Sequence, residues 1–219
     1  MPTATYLAMA KNQEGSQKQG LLLSAAGRTI SEGRWNQGSA ILAQTENLTE
    51  AQLNEKNLLL AKIDLLRGRP SPALAKLATI KQPEELSNYH QIEFHELLAQ
   101  AYRAAGSHFE SVIERIKLER LLTDNESQIK NRRTLWLTLI NLPPAELNTM
   151  SVEVSNKSEL KGWVQLVIIS QKYRDNSQSL LAALDQWQSQ FYAHPANQIL
   201  PNPLDSIANK MLSKPKQIA

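Results

Sequence analysis

Residues 55–77, EKNLLLAKIDLLRGRPSPALAKL, decide how this chain folds. Leu59, Ile63 and Leu66 recur at spacings of four and three, the period of a helix with one buried stripe. Gly68 closes that helix, because glycine takes up the left-handed backbone of a C-terminal cap with no Cβ penalty. Ser71 before Pro72 then predicts the start of a second helix, where a missing N–H costs nothing. Ala61 stands seven residues before the glycine and Ala73 five after it. Two helices joined this tightly approach to about 8–10 Å between axes, and only small side chains fit where they cross.

The same frame occurs on either side. Gly33 carries Ala26 and Gly38 at those offsets, and Gly106 carries Ala99 and Ser111. The glycines are 68 − 33 = 35 and 106 − 68 = 38 residues apart, the period of a helix–turn–helix unit stacked on copies of itself. Leu42 and Leu77 follow four residues later as large packing groups, whereas the third unit has Arg115. Glu126–Met150 and Asn156–Tyr192 read as two further helix pairs, so the expected fold is an all-α helix–turn–helix solenoid, a superhelical array of about five pairs.

Helices are expected near 3–13, 17–32, 35–45, 50–67, 72–80, 84–105, 108–122, 126–141, 144–150, 158–174, 177–192 and 203–212. Ser16 with Gln19, Thr49 with Gln52 and Ser107 with Glu110 have capping-box spacing. Ser151–Ser155 is the one stretch with an extended reading. The domain is expected to run over 1–212, with 213–219 a linker or tail toward a further domain.

Lys plus Arg exceeds Asp plus Glu by 24 − 21 = 3, with the signs interleaved, which argues against a nucleic-acid partner. There is no cysteine, so no disulfide or thiolate chemistry within these residues. Apolar runs such as Leu21–Leu23 fall far short of the roughly 20 residues of a bilayer span. Residues 1–13 lack the pattern of a signal peptide.

No catalytic, cofactor or metal site is expected. His90 and His95, beside Glu93 and Glu96, are five residues apart and point about 140° away from each other on a helix. Ser158 with Lys161 and Ser213 with Lys216 have acyl-transfer spacing without the companion motifs. Glu110-Ser111 and Glu126-Ser127 match a transglycosylase acid only as dipeptides. Lys130, Arg132 and Arg133 read as a solvated face, and Trp35, Trp136, Trp163 and Trp187 as packing groups. If the array curves, its inner surface carries the residues thirteen, ten, six and three before each glycine. These are Glu55, Leu58, Lys62 and Leu65 in one unit and Glu93, Glu96, Gln100 and Arg103 in the next, a groove for an extended peptide.

The small-residue, glycine-turn, alanine pattern resembles the tetratricopeptide repeat. Only Trp35 matches that family's aromatic after the turn, and Glu50, Glu85 and Thr123 replace its closing proline. Across essentially the whole chain, Glu55–Asp64 (EKNLLLAKID), Leu160–Leu166 (LKGWVQL) and Asp185–Leu200 (DQWQSQFYAHPANQIL) also resemble the N-terminal domain of the LpoA (YraM) family. Those are outer-membrane lipoproteins that activate a class A penicillin-binding protein. The resemblance implies a lipid-anchored protein facing the periplasm, with a solute-binding-protein-like second domain that makes most of the synthase contact. This half would then be a non-catalytic spacer and interaction module, with peptidoglycan as a further contact. A free-standing peptide-binding scaffold and a wall-cleaving enzyme are the alternatives.

Overall fold

Glycine turns and proline starts divide the chain into helices, and no strand occurs among the described residues. The computed structural model describes residues 1–154 and 159–199. The helix expected over 203–212, the tail over 213–219, and Ser158, Ser213 and Lys216 lie outside them. The chain divides into two units, Met1–Leu121 and Leu122–Ala219.

In the first unit the helices are α1 (Thr3–Lys11), α2 (Gly15–Ser31), α3 (Trp35–Leu42), α4 (Glu50–Leu66), α5 (Pro70–Leu77), α6 (Asn88–Ala104) and α7 (His108–Glu119). A 3-10 turn at Pro83–Glu85 precedes α6. Helix α2 packs on α4 and α4 on α6, and each of the three also packs on its successor, α3, α5 or α7.

The three hairpins close in the same way. Gly33, Gly68 and Gly106 have φ of 79°, 68° and 82°. Past each glycine the next N–H bonds back five residues: Arg34 to Thr29 at 3.0 Å, Arg69 to Asp64 at 2.8 Å and Ser107 to Tyr102 at 2.9 Å. The glycine N–H itself reaches back three residues in all three. This is the Schellman pattern, which satisfies carbonyls the helix end leaves open.

Ala26, Ala61 and Ala99 are 0, 0 and 1% exposed, and Gly38, Ala73 and Ser111 are buried opposite them. A Cβ on Gly38 would lie 2.5 Å from Ile30 Cγ1 and 3.3 Å from the Ala26 carbonyl oxygen, so α2 and α3 meet with no room for a methyl. The Ser111 hydroxyl donates to the Ala99 carbonyl at 2.8 Å, which lets a polar group stand in the small column. Leu42 and Leu77 are buried as packing groups, and so is Arg115 at the matching position of the third unit. Its guanidinium makes two bonds to Glu96 on α6, at 2.5 and 2.9 Å, so a charged fork replaces a hydrocarbon contact. Asp64, 3% exposed, pairs with Arg69 and Lys76 at 2.5 Å each and ties α5 to α4.

Several local expectations need correction. Thr49 and Gln52 form the full capping box, but α2 starts at Gly15 after Glu14 with no side-chain cap. Gln19 instead turns inward and accepts from the Glu46 N–H at 3.1 Å. Ser107 precedes α7 without a capping bond. Helix α5 starts two residues earlier than Ser71–Pro72 implied, with Pro70 in its first turn. Ser151–Glu153 is helical rather than extended, the Met150 carbonyl accepting from the Val154 N–H at the helix end; only Val154, the C-cap, has extended backbone, and Ser155 lies outside the described residues.

The second unit contains α8 (Asn125–Ile140), α9 (Pro144–Glu153), α10 (Glu159–Lys172), α11 (Ser177–Gln190) and a 3-10 turn at Pro195–Gln198. Helix α10 packs against α8, α9 and α11. Its end is locked by an aromatic knot. Trp187 Nε1 donates to the Gly162 carbonyl at 2.9 Å, and His194 Nε2 donates to the Glu159 carbonyl at 2.8 Å. The His194 ring lies edge-on to Trp163 and Trp187 at 5.1 and 5.2 Å between centroids. A Cβ on Gly162 would fall 2.5 Å from that ring, so only glycine admits it.

Candidate functional site

Helices α4 and α6 run side by side in the same sense and leave a furrow between them. Each helix advances about 100° per residue, so Glu55, Leu59, Lys62 and Leu66 share the furrow face of α4, and Tyr89, Glu93, Leu97 and Gln100 that of α6. Two hollows follow one another along it. The first, about 330 Å³, is bounded by Glu55, Leu59, Lys62, Tyr89, His90 and Glu93, with Arg28 and Ser31 of α2 and Tyr6 of α1 as its far wall. The second, about 240 Å³, is bounded by Lys62, Leu65, Leu66, Glu93, Glu96, Leu97 and Gln100. Lys62 Nζ bridges the furrow to Glu93 Oε1 at 3.2 Å between the two.

The charges within the furrow are largely matched. Arg28 pairs with Glu32 at 2.7 Å, and Glu96 with Arg115 and, at 2.7 Å, Gln100. Glu55 has no hydrogen-bond or ion-pair partner among the described residues. Burial raises its pKa above the ordinary carboxylate range; His90 opposes that shift and Glu93 adds to it. On the far side of α6, His95 Nδ1 donates to Glu114 at 2.6 Å and Lys117 adds a second contact at 2.8 Å. Burial alone would raise the Glu114 pKa, but the hydrogen bonds from His95 and Lys117 outweigh it and hold the carboxyl low.

Six of the eight residues expected to line an inner surface come together here: Glu55, Lys62, Leu65, Glu93, Glu96 and Gln100. Leu58 does not. It is 0% exposed and packs with Ala61, Ala73, Leu77 and Phe94, because it lies about 60° round the helix from Glu55, on the side facing α5 and α6. Arg103 is exposed in the last turn of α6, beyond both hollows. Tyr6 and Arg28 lie on α1 and α2, outside the two helices the offsets cover, and Tyr89 stands seventeen residues before Gly106, ahead of the first offset; its exposed aromatic ring at the start of α6 was the available signal.

The remaining candidates are placed as follows. His90 faces the furrow while His95 is engaged with Glu114, so the two histidines do not converge. No group of three or more His, Asp or Glu side chains able to hold a metal occurs among the described residues. Glu110 and Glu126 lie exposed in the first turns of α7 and α8. Arg132 is buried and bonds Gln198, whereas Lys130 and Arg133 border a shallow hollow on α8. Trp163 and Trp187 are core residues, and Arg67 stacks over half-buried Trp35 at 4.6 Å.

Residues 2–219 match the family model described as "LppC putative lipoprotein". A relative from Edwardsiella piscicida, named penicillin-binding protein activator LpoA, is 28% identical over 159 residues, 73% of this chain. The chain spans 22% of that relative's length. The crystal structure of the LpoA N-terminal domain from Haemophilus influenzae superposes with a TM-score of 0.75 at 24% identity, covering 94% of each chain. That of the Escherichia coli LpoA amino-terminal domain gives 0.77 at 21% identity, covering all of this chain and 93% of the other. Both share the all-helical fold.

Proposed function

The chain belongs to the LppC lipoprotein family, and from that premise we propose that it is the helical N-terminal domain of a lipoprotein that activates a peptidoglycan synthase of the class A penicillin-binding type. The observation that carries this reading is the match over residues 2–219, together with the fold shared over 94% of each chain with the LpoA N-terminal domain from Haemophilus influenzae. On this reading the helical domain runs to about residue 212 and 213–219 lead toward a second domain. A lipid anchor holds the protein on the periplasmic face of the outer membrane.

The role is positional. The closed hairpins and buried small residues of the first unit suit an arm that sets how far a distal domain reaches. The distal domain then shifts the synthase toward its active state, by no more than its differential affinity for the two states. The furrow supports a second, local role as an interaction surface. Its carboxylates Glu93 and Glu96 are paired with Lys62 and Arg115, and Glu55 has no hydrogen-bond or ion-pair partner among the described residues.

The test uses purified synthase and lipid II. Full-length protein is expected to raise the rate of cross-linked glycan formation, while this chain alone leaves it unchanged and releases no muropeptides from sacculi. Muropeptide release by this chain, or stimulation equal to that of the full-length protein, would overturn the reading.

A further inference from the structure

The two hollows between α4 and α6 differ in chemistry while forming one continuous track. At the first, Glu55 is a half-buried carboxylate with no hydrogen-bond or ion-pair partner among the described residues, with His90 and Glu93 beside it. Arg28 and Lys62, the cations of that hollow, are already taken by Glu32 and Glu93. At the second, Leu65, Leu66 and Leu97 make an apolar floor, and Leu66 is 53% exposed despite its size.

We infer that this furrow binds an extended peptide segment that places a lysine or arginine side chain against Glu55 and an apolar side chain on Leu65, Leu66 and Leu97. The ammonium or guanidinium supplies the direct ion-pair partner that Glu55 lacks, and Glu93, which already holds Lys62, gives it a second acceptor. The apolar side chain covers hydrocarbon that α4 leaves to water at Leu66 and in part at Leu65, with buried Leu97 of α6 beneath it. The spacing of the two anchors follows from helix geometry. Glu55 and Leu65 are ten residues apart, which at a rise of ~1.5 Å per residue is about 15 Å along α4. An extended chain covers that distance in about four to five residues at ~3.3 Å each. The partner segment is therefore a basic residue and an apolar residue separated by that interval, and an acidic segment is excluded by Glu55 and Glu93.

This inference rests on the interaction-module part of the proposed function and is independent of synthase activation. The test is fluorescence anisotropy with labelled Gly/Ser nonapeptides carrying one lysine and one leucine at separations from two to seven residues, added to the whole chain. Binding is expected to be saturable and tightest at separations of four or five. Replacing the probe lysine by glutamate is expected to abolish binding. Glu55→Gln, which keeps shape and removes charge, is expected to weaken it by about tenfold, the scale of one charge-assisted hydrogen bond. Leu66→Ser, on an exposed position, tests the apolar end without disturbing the core. No saturable binding, no dependence on separation, or equal affinity in Glu55→Gln would each overturn the inference. Stimulation of the synthase by full-length Glu55→Gln is measured separately, so loss of peptide binding with intact stimulation is read as a furrow effect alone.

Discussion

Substituting Gly38 by alanine tests the close approach of α2 and α3, and Gly20→Ala provides the control. Both glycines lie inside helices, where alanine is favoured by about 1 kcal/mol. At Gly20 a Cβ meets only the end of the Gln52 side chain at 3.7 Å, an ordinary contact. That variant is expected to gain about 0.5–1 kcal/mol. At Gly38 the same methyl lies 2.5 Å from Ile30 Cγ1, 3.2 Å from Ile30 Cδ1 and 3.3 Å from a backbone oxygen that cannot rotate away. Overpacking of that kind costs about 1–3 kcal/mol, so after the propensity gain Gly38→Ala is expected to lose up to about 2 kcal/mol. Urea unfolding followed by far-UV circular dichroism measures both variants, and Trp35 fluorescence in a Trp136→Phe, Trp163→Phe, Trp187→Phe background reports the first unit. Ile30→Ala opens the space the methyl needs, so the double variant is expected to be more stable than the sum of the single effects by about 1 kcal/mol or more. Equal gains at Gly20 and Gly38, or strict additivity with Ile30→Ala, would refute the claim that these helices touch backbone to backbone.

Gly68→Ala places a Cβ at φ 68° and is expected to cost about 1 kcal/mol, read as a lower urea midpoint with unchanged slope. Arg115→Leu restores the leucine of the other two repeats but removes both guanidinium bonds to Glu96, so it is expected to destabilise by about 1–2 kcal/mol, while Glu96→Leu with Arg115→Leu recovers part of that loss in the same assay. His194 titrates below its ordinary pKa because burial disfavours its charged form, with the Glu159 carbonyl only partly opposing. Its Nδ1 accepts from the Ala196 N–H at 3.2 Å, so a proton there also breaks that bond. The sign follows: the stability it contributes is complete above the unfolded pKa of about 6.5 and is lost as pH falls through the lower folded value. Thermal melts of the wild type are expected to drop over that window more steeply than those of His194→Asn.

The glycine turns and small columns were legible because each has one physical cause that leaves a mark at a fixed spacing. A left-handed cap demands glycine, and a close crossing demands alanine, glycine or a serine whose hydroxyl finds a carbonyl, as Ser111 does. Arg115 was visible as a departure from the pattern, but its partner Glu96 lies 19 residues away on another helix, a relation the local sequence does not display. The caps at Ser16 and Ser107 were misread because a capping-box spacing is satisfied by chance in polar helices, and Gln19 found a better use bonding the next loop. The landmark segments 160–166 and 185–200 carried recognition without a mechanism. Their meaning is the knot in which Gly162, Trp163, Trp187 and His194 interlock, and that depends on tertiary contact. Leu58 was assigned to the furrow by counting offsets from Gly68, and the helix rotation of one turn less 60° sent it into the core.

The positional role is tested most directly in cells by comparing the anchored full-length protein with an anchored version lacking residues 1–199, scored by incorporation of labelled precursor into cross-linked wall. The account predicts that the shortened protein still stimulates purified synthase in solution but fails in cells, because the distal domain no longer reaches its partner. Incorporation in cells equal to that with the full-length protein would contradict it.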